Sequence, residues 1–410
     1  MASVLRIRPL AEPLRWILGL VCTGAALVLG ACGDDDAVTV SAEVVEAHTV
    51  TVPTVTGATA SLITHTMPSR LGGSTRATTL LFVPEGPVPA GGWPIVAWVH
   101  GTTTVAYKSC APSQTLDTLD GGLTAEGFTS RYDEVVSSFL RAGYAVVAPD
   151  FEGLGGASAD PFAYYDSASE SRSIIAAVMA ARHHASSLSN RWVAVGHSEG
   201  GRGVLVLQRF LNEAGGLDFR GTVALAPFAS IAASVERFDA LRAADPANAM
   251  LYLGIQNFFV GMFTTAVRAS GAEMPDLSAL MGADLQALLP QYQQRCVFAV
   301  FNQVAGAVAA KGSGFDGLRS GWSEAPVVKA FLQRNDPAVM PDFTITQPTL
   351  VVQGTADIFV LEPLSTALFD AHRARGASLQ YKVYPGSDHG SIVIDAAADV
   401  LAYIGSRMAH

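Results

Sequence analysis

Residues 195–201 read Val-Gly-His-Ser-Glu-Gly-Gly and place Ser198 in a Gly-x-Ser-x-Gly frame. Upstream, residues 191–195 (RWVAV) are apolar and β-prone; downstream, residues 201–211 (GRGVLVLQRFL) have helical spacing. A strand, a sharp turn and a helix in that order restrict the chain to a sheet with its serine raised at a strand end. The turn crowds the serine backbone, so the residues flanking it must be small. It aims Oγ out of the sheet and presents the next N–H, that of Glu199, where an oxyanion would form. By itself the pentapeptide also describes a Gly-rich turn. Its flanks select the nucleophile reading.

The chain has 410 residues, half of them hydrophobic and 15% charged, enough for a large core. A formal charge of −10 argues against a nucleic-acid partner. The sequence shows no basic run, zinc-type Cys/His spacing, P-loop, dinucleotide fingerprint or internal repeat. Near the N-terminus, Arg6, Arg8 and Arg15 precede an apolar run over 16–30, and Leu29-Gly30-Ala31-Cys32 closes it. This pattern predicts an export signal, too short for a comfortable transmembrane helix. A Cys after Leu-Gly-Ala resembles the bacterial lipobox, so residues 1–31 are expected to be removed and Cys32 lipidated. Gly33-Asp34-Asp35-Asp36 would begin a tether, and the acyl chains would hold the protein on a membrane. Ordinary cleavage and release is the alternative, with Cys32 incidental. After the cut Cys110 and Cys296 remain, either as one disulfide in an oxidising compartment or as two buried thiols.

Residues 32–56 read as a tether or spacer, with 37–56 weakly β-prone, and edge strands are expected at 61–66 and 78–83. From there strands at 95–99, 144–148, 191–195, 222–226, 349–352 and 380–384 alternate with helices at 131–142, 169–184, 201–211, 361–375 and 391–407. Apolar strands alternating with helices predict an α/β fold: a mostly parallel central sheet covered on both faces. The rhythm stops over 229–347, where 249–267, 277–289 and 294–309 have helical patterns and no strand is convincing. So long a stretch needs its own structure. It is read as a helical cap inserted between two core segments, 57–228 and 348–410. Residues 251–267 are apolar nearly all round, which fits a buried or ligand-facing helix.

A serine hydroxyl needs a base to take its proton, and the base needs an orienting acid. After an elbow serine these follow in the order acid, then histidine, on loops beyond late strands. Asp357 ends Gln353-Gly354-Thr355-Ala356-Asp357 after strand 349–352, and His389 lies in Pro385-Gly386-Ser387-Asp388-His389-Gly390 after strand 380–384. The 32-residue spacing of the two is about one strand–helix–strand unit. Ser198, Asp357 and His389 should therefore meet at one sheet edge. Asp388 is read as a loop or capping carboxylate, and Asp150 and Glu152 as turn and cap groups. His197 is too close to Ser198 to act as its base, and His183, His184 and His372 are expected to be solvated. His100-Gly101-Thr102 follows the strand at 95–99, so the amide of Thr102 or Thr103 would join that of Glu199 as the oxyanion hole. The hydroxyls of Thr102–Thr104 either assist or only shape a turn.

The segments VAWVHGTT (96–103), Cys110-Ala-Pro-Ser113, YAVVAPDFEGLG (144–155), GHSEGG (196–201), QGTAD (353–357) and YPGSDHG (384–390) together resemble the secretory lipase family of α/β-hydrolases. The resemblance runs from about residue 91 to the C-terminus. The elbow and QGTAD are shared by many hydrolases, whereas the Cys-Ala-Pro-Ser and Asp-Phe-Glu-Gly-Leu-Gly patches are much more family-specific. It implies an α/β-hydrolase fold with a helical cap, or lid, shaping an acyl pocket. It implies a Ser198–Asp357–His389 triad and a bond from Cys110 to a cap cysteine, here Cys296. Thr104 stands where many bacterial relatives carry Gly, and the lipoprotein-like start departs from a freely secreted enzyme.

The expected activity is hydrolysis of carboxylic esters, acylglycerols or other acyl esters, through an acyl-enzyme. It calls for no metal and no organic cofactor. Two alternatives use the same fold. A peptidase would need an amine-binding acidic pair or a second domain, and no such domain is evident. A non-catalytic surface lipoprotein would have no need to keep serine, acid and histidine in register.

Overall fold

The computed structural model describes residues 39–117, 119–121 and 130–409. The expected signal segment and Cys32 lie outside the described residues. Nine strands form one sheet: β1 (Val44–Val50), β2 (Ala58–Pro68), β3 (Ser74–Pro84), β4 (Trp93–Val99), β5 (Ala145–Pro149), β6 (Leu188–His197), β7 (Asp218–Leu225), β8 (Thr349–Gly354) and β9 (Leu379–Tyr384). Their order is β1-β2-β3-β5-β4-β6-β7-β8-β9. The first three pairings are antiparallel and the five from β5 to β9 are parallel.

Parallel neighbours need crossovers, and helices supply them. α1 (Tyr132–Arg141) links β4 to β5, α2 (Ser167–His184) links β5 to β6, and α3 (Glu199–Val206) links β6 to β7. Between β7 and β8 lie α4 (Ile231–Ala244), α5 (Ala249–Ala269), α6 (Ala283–Leu288), α7 (Val297–Lys311) and α8 (Pro326–Asn335). α9 (Glu362–Ala374) joins β8 to β9, and α10 (Ile392–Asp395) and α11 (Ala397–Met408) follow. Every residue of β5 and β8 is buried, as expected for strands covered on both faces. β9, at the edge, alternates between half-buried and exposed.

The structure differs from the sequence expectation in several places. Within the expected spacer at 32–56, Val44–Val50 is a strand paired antiparallel to β2, so the sheet begins before residue 57. The helix after the elbow stops at Val206 and gives way to 3₁₀ turns at Leu207–Arg209 and Leu211–Ala214. The helix expected at 391–407 is two pieces, α10 and α11. In the segment between β7 and β8, α4 and α8 add to the three expected helical patterns. The extended pairing there, among the described residues, is a single bridge between Met281 and Leu318.

α5 is the centre of this helical layer. Residues Pro246–Ala269 are long and apolar enough to cross a membrane, with mean hydropathy 1.3, yet 83% of that window is buried inside the protein. A helix apolar on every side is stable in water only when other elements surround it. Here α4 and α7 pack against it, Phe258 stacks on Tyr292, and Phe259 meets Phe228 from the β7–α4 loop at 4.9 Å. Cys110 is bonded to Cys296, which caps the N-terminus of α7. The same junction carries a hydrogen bond from Val297 N to Thr103 O, 2.8 Å. The helical layer is thus pinned to the loop after β4.

Candidate active site

Ser198 stands between β6 and α3 at φ 55°, ψ −116°, in the left-handed half of backbone space. Its neighbours make this possible. A β-carbon on Gly196 would lie 2.2 Å from Gly200 O, and one on Gly200 would lie 2.2 Å from Val99 O. Both obstacles are backbone atoms. The turn is fastened by Ser198 N donating to Leu225 O (2.9 Å) and by Phe228 N donating to Ser198 O (2.9 Å).

Three loops at the carboxyl ends of β6, β8 and β9 bring the expected trio together. His389 Nε2 is 2.9 Å from Ser198 Oγ, and His389 Nδ1 is 2.7 Å from Asp357 Oδ2. Asp357 is 5% exposed and is held on both oxygens. Oδ1 accepts from Phe359 N (2.9 Å) and Val360 N (2.8 Å), and Oδ2 accepts from Gln353 Nε2 (3.2 Å). These donors hold the carboxylate in place and aim Oδ2 at the imidazole. With Nδ1–H donated to Asp357, Nε2 faces Ser198 Oγ as an acceptor.

The two candidate oxyanion threonines separate. Thr102 lines the cleft above Ser198, and its hydroxyl lies 3.2 Å from Tyr164 Oη. Thr103 is buried, away from the cleft, with its carbonyl used by α7. Thr104 Oγ1 accepts from Tyr107 N (2.9 Å), which makes it a turn residue. The amide of Gly101 donates to Tyr132 Oη (3.0 Å) and is not free for a ligand. Glu199 begins α3, so its N–H is an unpaired first-turn donor at the positive end of that helix.

The cleft itself is apolar and narrow, about 60 Å³ in volume, and open on one side. Phe259 and Met262 of α5, Phe298 of α7, Phe228 and Phe359 form its walls, and His389 and Ser198 its floor. Phe359 also packs against the His389 ring at 5.6 Å and against Phe301 at 5.6 Å, so it joins the histidine loop to the helical layer.

Under the elbow, Glu199, Glu170 and Arg202 are all fully buried. Arg202 pairs with Glu170 and lies 3.9 Å over the Tyr165 ring. Burial, and then each carboxyl's effect on the other, raises Glu199 well above the usual carboxylate range. Burial also raises Glu170, against the pull of Arg202. One guanidinium balances one carboxylate, so the pair retains a proton.

The remaining groups fall elsewhere. Asp388 accepts from Gly390 N (2.9 Å) and Ser391 N (2.7 Å), as a capping carboxylate should. Asp150 and Glu152 are buried and hold distant segments instead of local turns. Asp150 accepts from Ser113 N (3.3 Å) and Thr78 Oγ1, and burial raises it to about 6. Glu152 accepts from Arg70 N (3.0 Å) and from Ser169 Oγ at the start of α2. His183 and His184 are exposed, but His372 is 1% exposed, wedged between Phe343 and Phe369, and burial lowers it to about 4. Its helix lies on the sheet with that face inward, which the short window around it did not reveal. Gln353, Tyr132 and His197 have site contacts that the sequence reading did not assign. The Gln353 position was visible as the first residue of QGTAD.

A mostly parallel sheet, helices on both faces and a serine elbow at a strand end define an α/β-hydrolase. Residues 96–402 match the alpha/beta hydrolase family, and the chain belongs to it. No curated protein matches it in sequence. Among solved structures it is similar to the rice cell wall degrading esterase LipA from Xanthomonas oryzae, at 16% identity and a TM-score of 0.64 over 90% of this chain and 98% of that one. It is also similar to Candida antarctica lipase A in its closed state, at 16% identity and a TM-score of 0.64 over 91% and 85% of the two chains. At such identities the likeness is one of fold.

Proposed function

We propose that this α/β-hydrolase is a serine carboxylic-ester hydrolase with Ser198 as nucleophile, His389 as base and Asp357 as its orienting acid. The observation that carries the reading is the continuous line Asp357 Oδ2–His389–Ser198 Oγ, 2.7 and 2.9 Å, at the floor of an apolar cleft. As Oγ bonds to the ester carbonyl carbon, its proton passes to His389 Nε2. The carbonyl electrons move onto oxygen, which the amides of Glu199 and Thr102 stabilise. Loss of one such donor typically costs about 3–4 kcal/mol of transition-state stabilisation. The tetrahedral carbon then expels the alcohol, protonated by the imidazolium, and leaves an acyl-Ser198. Water, deprotonated by His389, repeats the addition and releases the acid and the free serine.

The apolar walls support an acyl group as the part of the substrate held in the cleft. The cleft is narrow, about 60 Å³, and opens outward, so a short acyl group fits the arrangement as it stands. Longer chains, including acylglycerols, require the phenylalanines of α5 and α7 to part. The lipase and esterase names of the two structural neighbours support ester chemistry over peptide chemistry. Export and lipid anchoring through Cys32 belong to the same reading. They rest on residues 1–36, and the Cys110–Cys296 bond fits an oxidising compartment.

A fluorophosphonate probe tests the nucleophile: the wild type should be labelled and Ser198→Ala should not. Equal labelling of both, or of neither, ends the assignment. Esters from butyrate to palmitate, assayed beside aminoacyl amides, should show turnover of esters only, with shorter acyl groups favoured. Mass spectrometry of the mature N-terminus should find a lipid on Cys32, and an unmodified cysteine there would remove the anchor.

A further inference from the structure

His197 precedes the nucleophile, is 2% exposed, and takes no part in the proton path just described. Its ring nitrogens are both engaged: Nε2 lies 2.8 Å from His389 O, and Nδ1 lies 2.8 Å from Tyr132 Oη. Tyr132 Oη in turn lies 3.0 Å from Gly101 N. The direction of each bond follows from its ends. Gly101 N–H only donates and the His389 carbonyl only accepts, so His197 carries its proton on Nε2 and accepts at Nδ1 from the Tyr132 hydroxyl. Every donor in the line then has one acceptor, and the imidazole is neutral. Burial, with the nearby His389 ring second, pushes His197 well below the usual histidine range, which agrees with that assignment.

This line crosses three loops. Gly101 adjoins Thr102 after β4, His197 adjoins Ser198 after β6, and His389 lies in the loop after β9. The approach is close enough that a β-carbon on Gly101 would lie 2.7 Å from Tyr132 Oη and 3.3 Å from His197 Nδ1. The two imidazoles sit with centroids 4.7 Å apart. We propose that His197 and Tyr132 are positioning residues, which lock the main chain of His389 and the Gly101–Thr102 peptide so that base and oxyanion donor face Ser198 together. The inference rests on the serine-hydrolase reading above. Its physical basis is that acyl transfer tolerates little misplacement: a shift of about 1 Å in a reacting group can cost on the order of a hundredfold in rate.

Two variants test it. Tyr132→Phe removes one hydroxyl and keeps the ring that packs edge-on against Trp98 at 5.1 Å. His197→Phe removes both bonds of the imidazole, and His197→Gln restores a donor and an acceptor. On a short-chain ester, Tyr132→Phe and His197→Phe should each lower kcat about 10- to 100-fold with KM within about twofold, and His197→Gln should recover part of the loss. The double variant Tyr132→Phe/His197→Phe should lose no more than His197→Phe alone, because one line is broken only once. In the ¹⁵N-histidine spectrum of the wild type, an Nε2–H imidazole that stays neutral should be present and should be lost in His197→Phe. Unchanged kcat in a folded Tyr132→Phe enzyme, or losses that multiply in the double variant, would overturn the positioning role. Fluorophosphonate labelling keeps the two readings apart. Variants that label slowly beside a wild type that labels fast support the proposal, and a wild type that fails to label overturns the triad and the proposal with it.

Discussion

Ser198 holds its unusual backbone conformation because Gly196 and Gly200 leave room that no side chain could share with the main chain of Val99 and Gly200. Around it, single residues have sharply different tasks. Asp357 keeps His389 in one tautomer, so Asp357→Asn should leave the fold intact and lower kcat by about 10⁴ with little change in KM, measurable on any soluble ester. The buried carboxyl pair makes a contrasting case. Glu170→Leu removes the carboxylate paired with the fully buried Arg202 guanidinium and leaves it Ser167 and Glu199, so urea unfolding should show a loss of about 3 kcal/mol, the low end for breaking a buried pair. Glu199→Gln replaces a carboxyl that already keeps its proton and should cost less than about 1 kcal/mol. Equal losses in the two variants would mean that the proton is not held by Glu199.

Elements decide how the cleft is closed. α5 is apolar over most of its surface, and its Gln256, Asn257 and Thr264 bond inward, so it is stable only when surrounded; it supplies Phe259 and Met262 to the cleft wall. α7 is tied to the loop after β4 twice, by the Cys110–Cys296 bond and by Val297 N donating to Thr103 O. The two cysteines are 186 positions apart, and closing so long a loop in the unfolded chain is worth up to about 5 kcal/mol in the chain-entropy account. The Cys110→Ser/Cys296→Ser double variant should therefore unfold at lower urea, and amide exchange in the first turns of α7 should quicken. Exchange that stays slow there would show that packing alone holds the helical layer.

For the whole molecule, buried titratable groups shape the response to pH. His65 in β2 is fully buried, and burial lowers it to about 4 against an unfolded value of 6.5. Below pH 6.5 the unfolded chain takes up this proton and the fold does not, so the stability His65 contributes is complete above 6.5 and falls away toward pH 4. The loss reaches about 3 kcal/mol. Asp150, raised to about 6, runs the other way and favours the fold as pH drops below that value. Subtracting the curve of His65→Leu from that of the wild type isolates the histidine: the wild type should lose ground between pH 6.5 and 4, and parallel curves would falsify its neutral burial.

The parallel half of the sheet was legible because strands covered on both faces are unbroken apolar runs between helical patterns. The elbow and the order Ser198, Asp357, His389 were legible because chain order and strand ends set which loops share an edge. β1 was not, since an antiparallel edge strand with three half-buried residues has little pattern of its own. Adjacency and periodicity therefore carried the core, the trio and the helical insertion. The packing of His372 against Phe343, the Glu170–Arg202 pair and the Gly101–Tyr132–His197–His389 line depend on segments far apart in the chain meeting at contact distance. Such distances are set by packing, and only the folded chain has them.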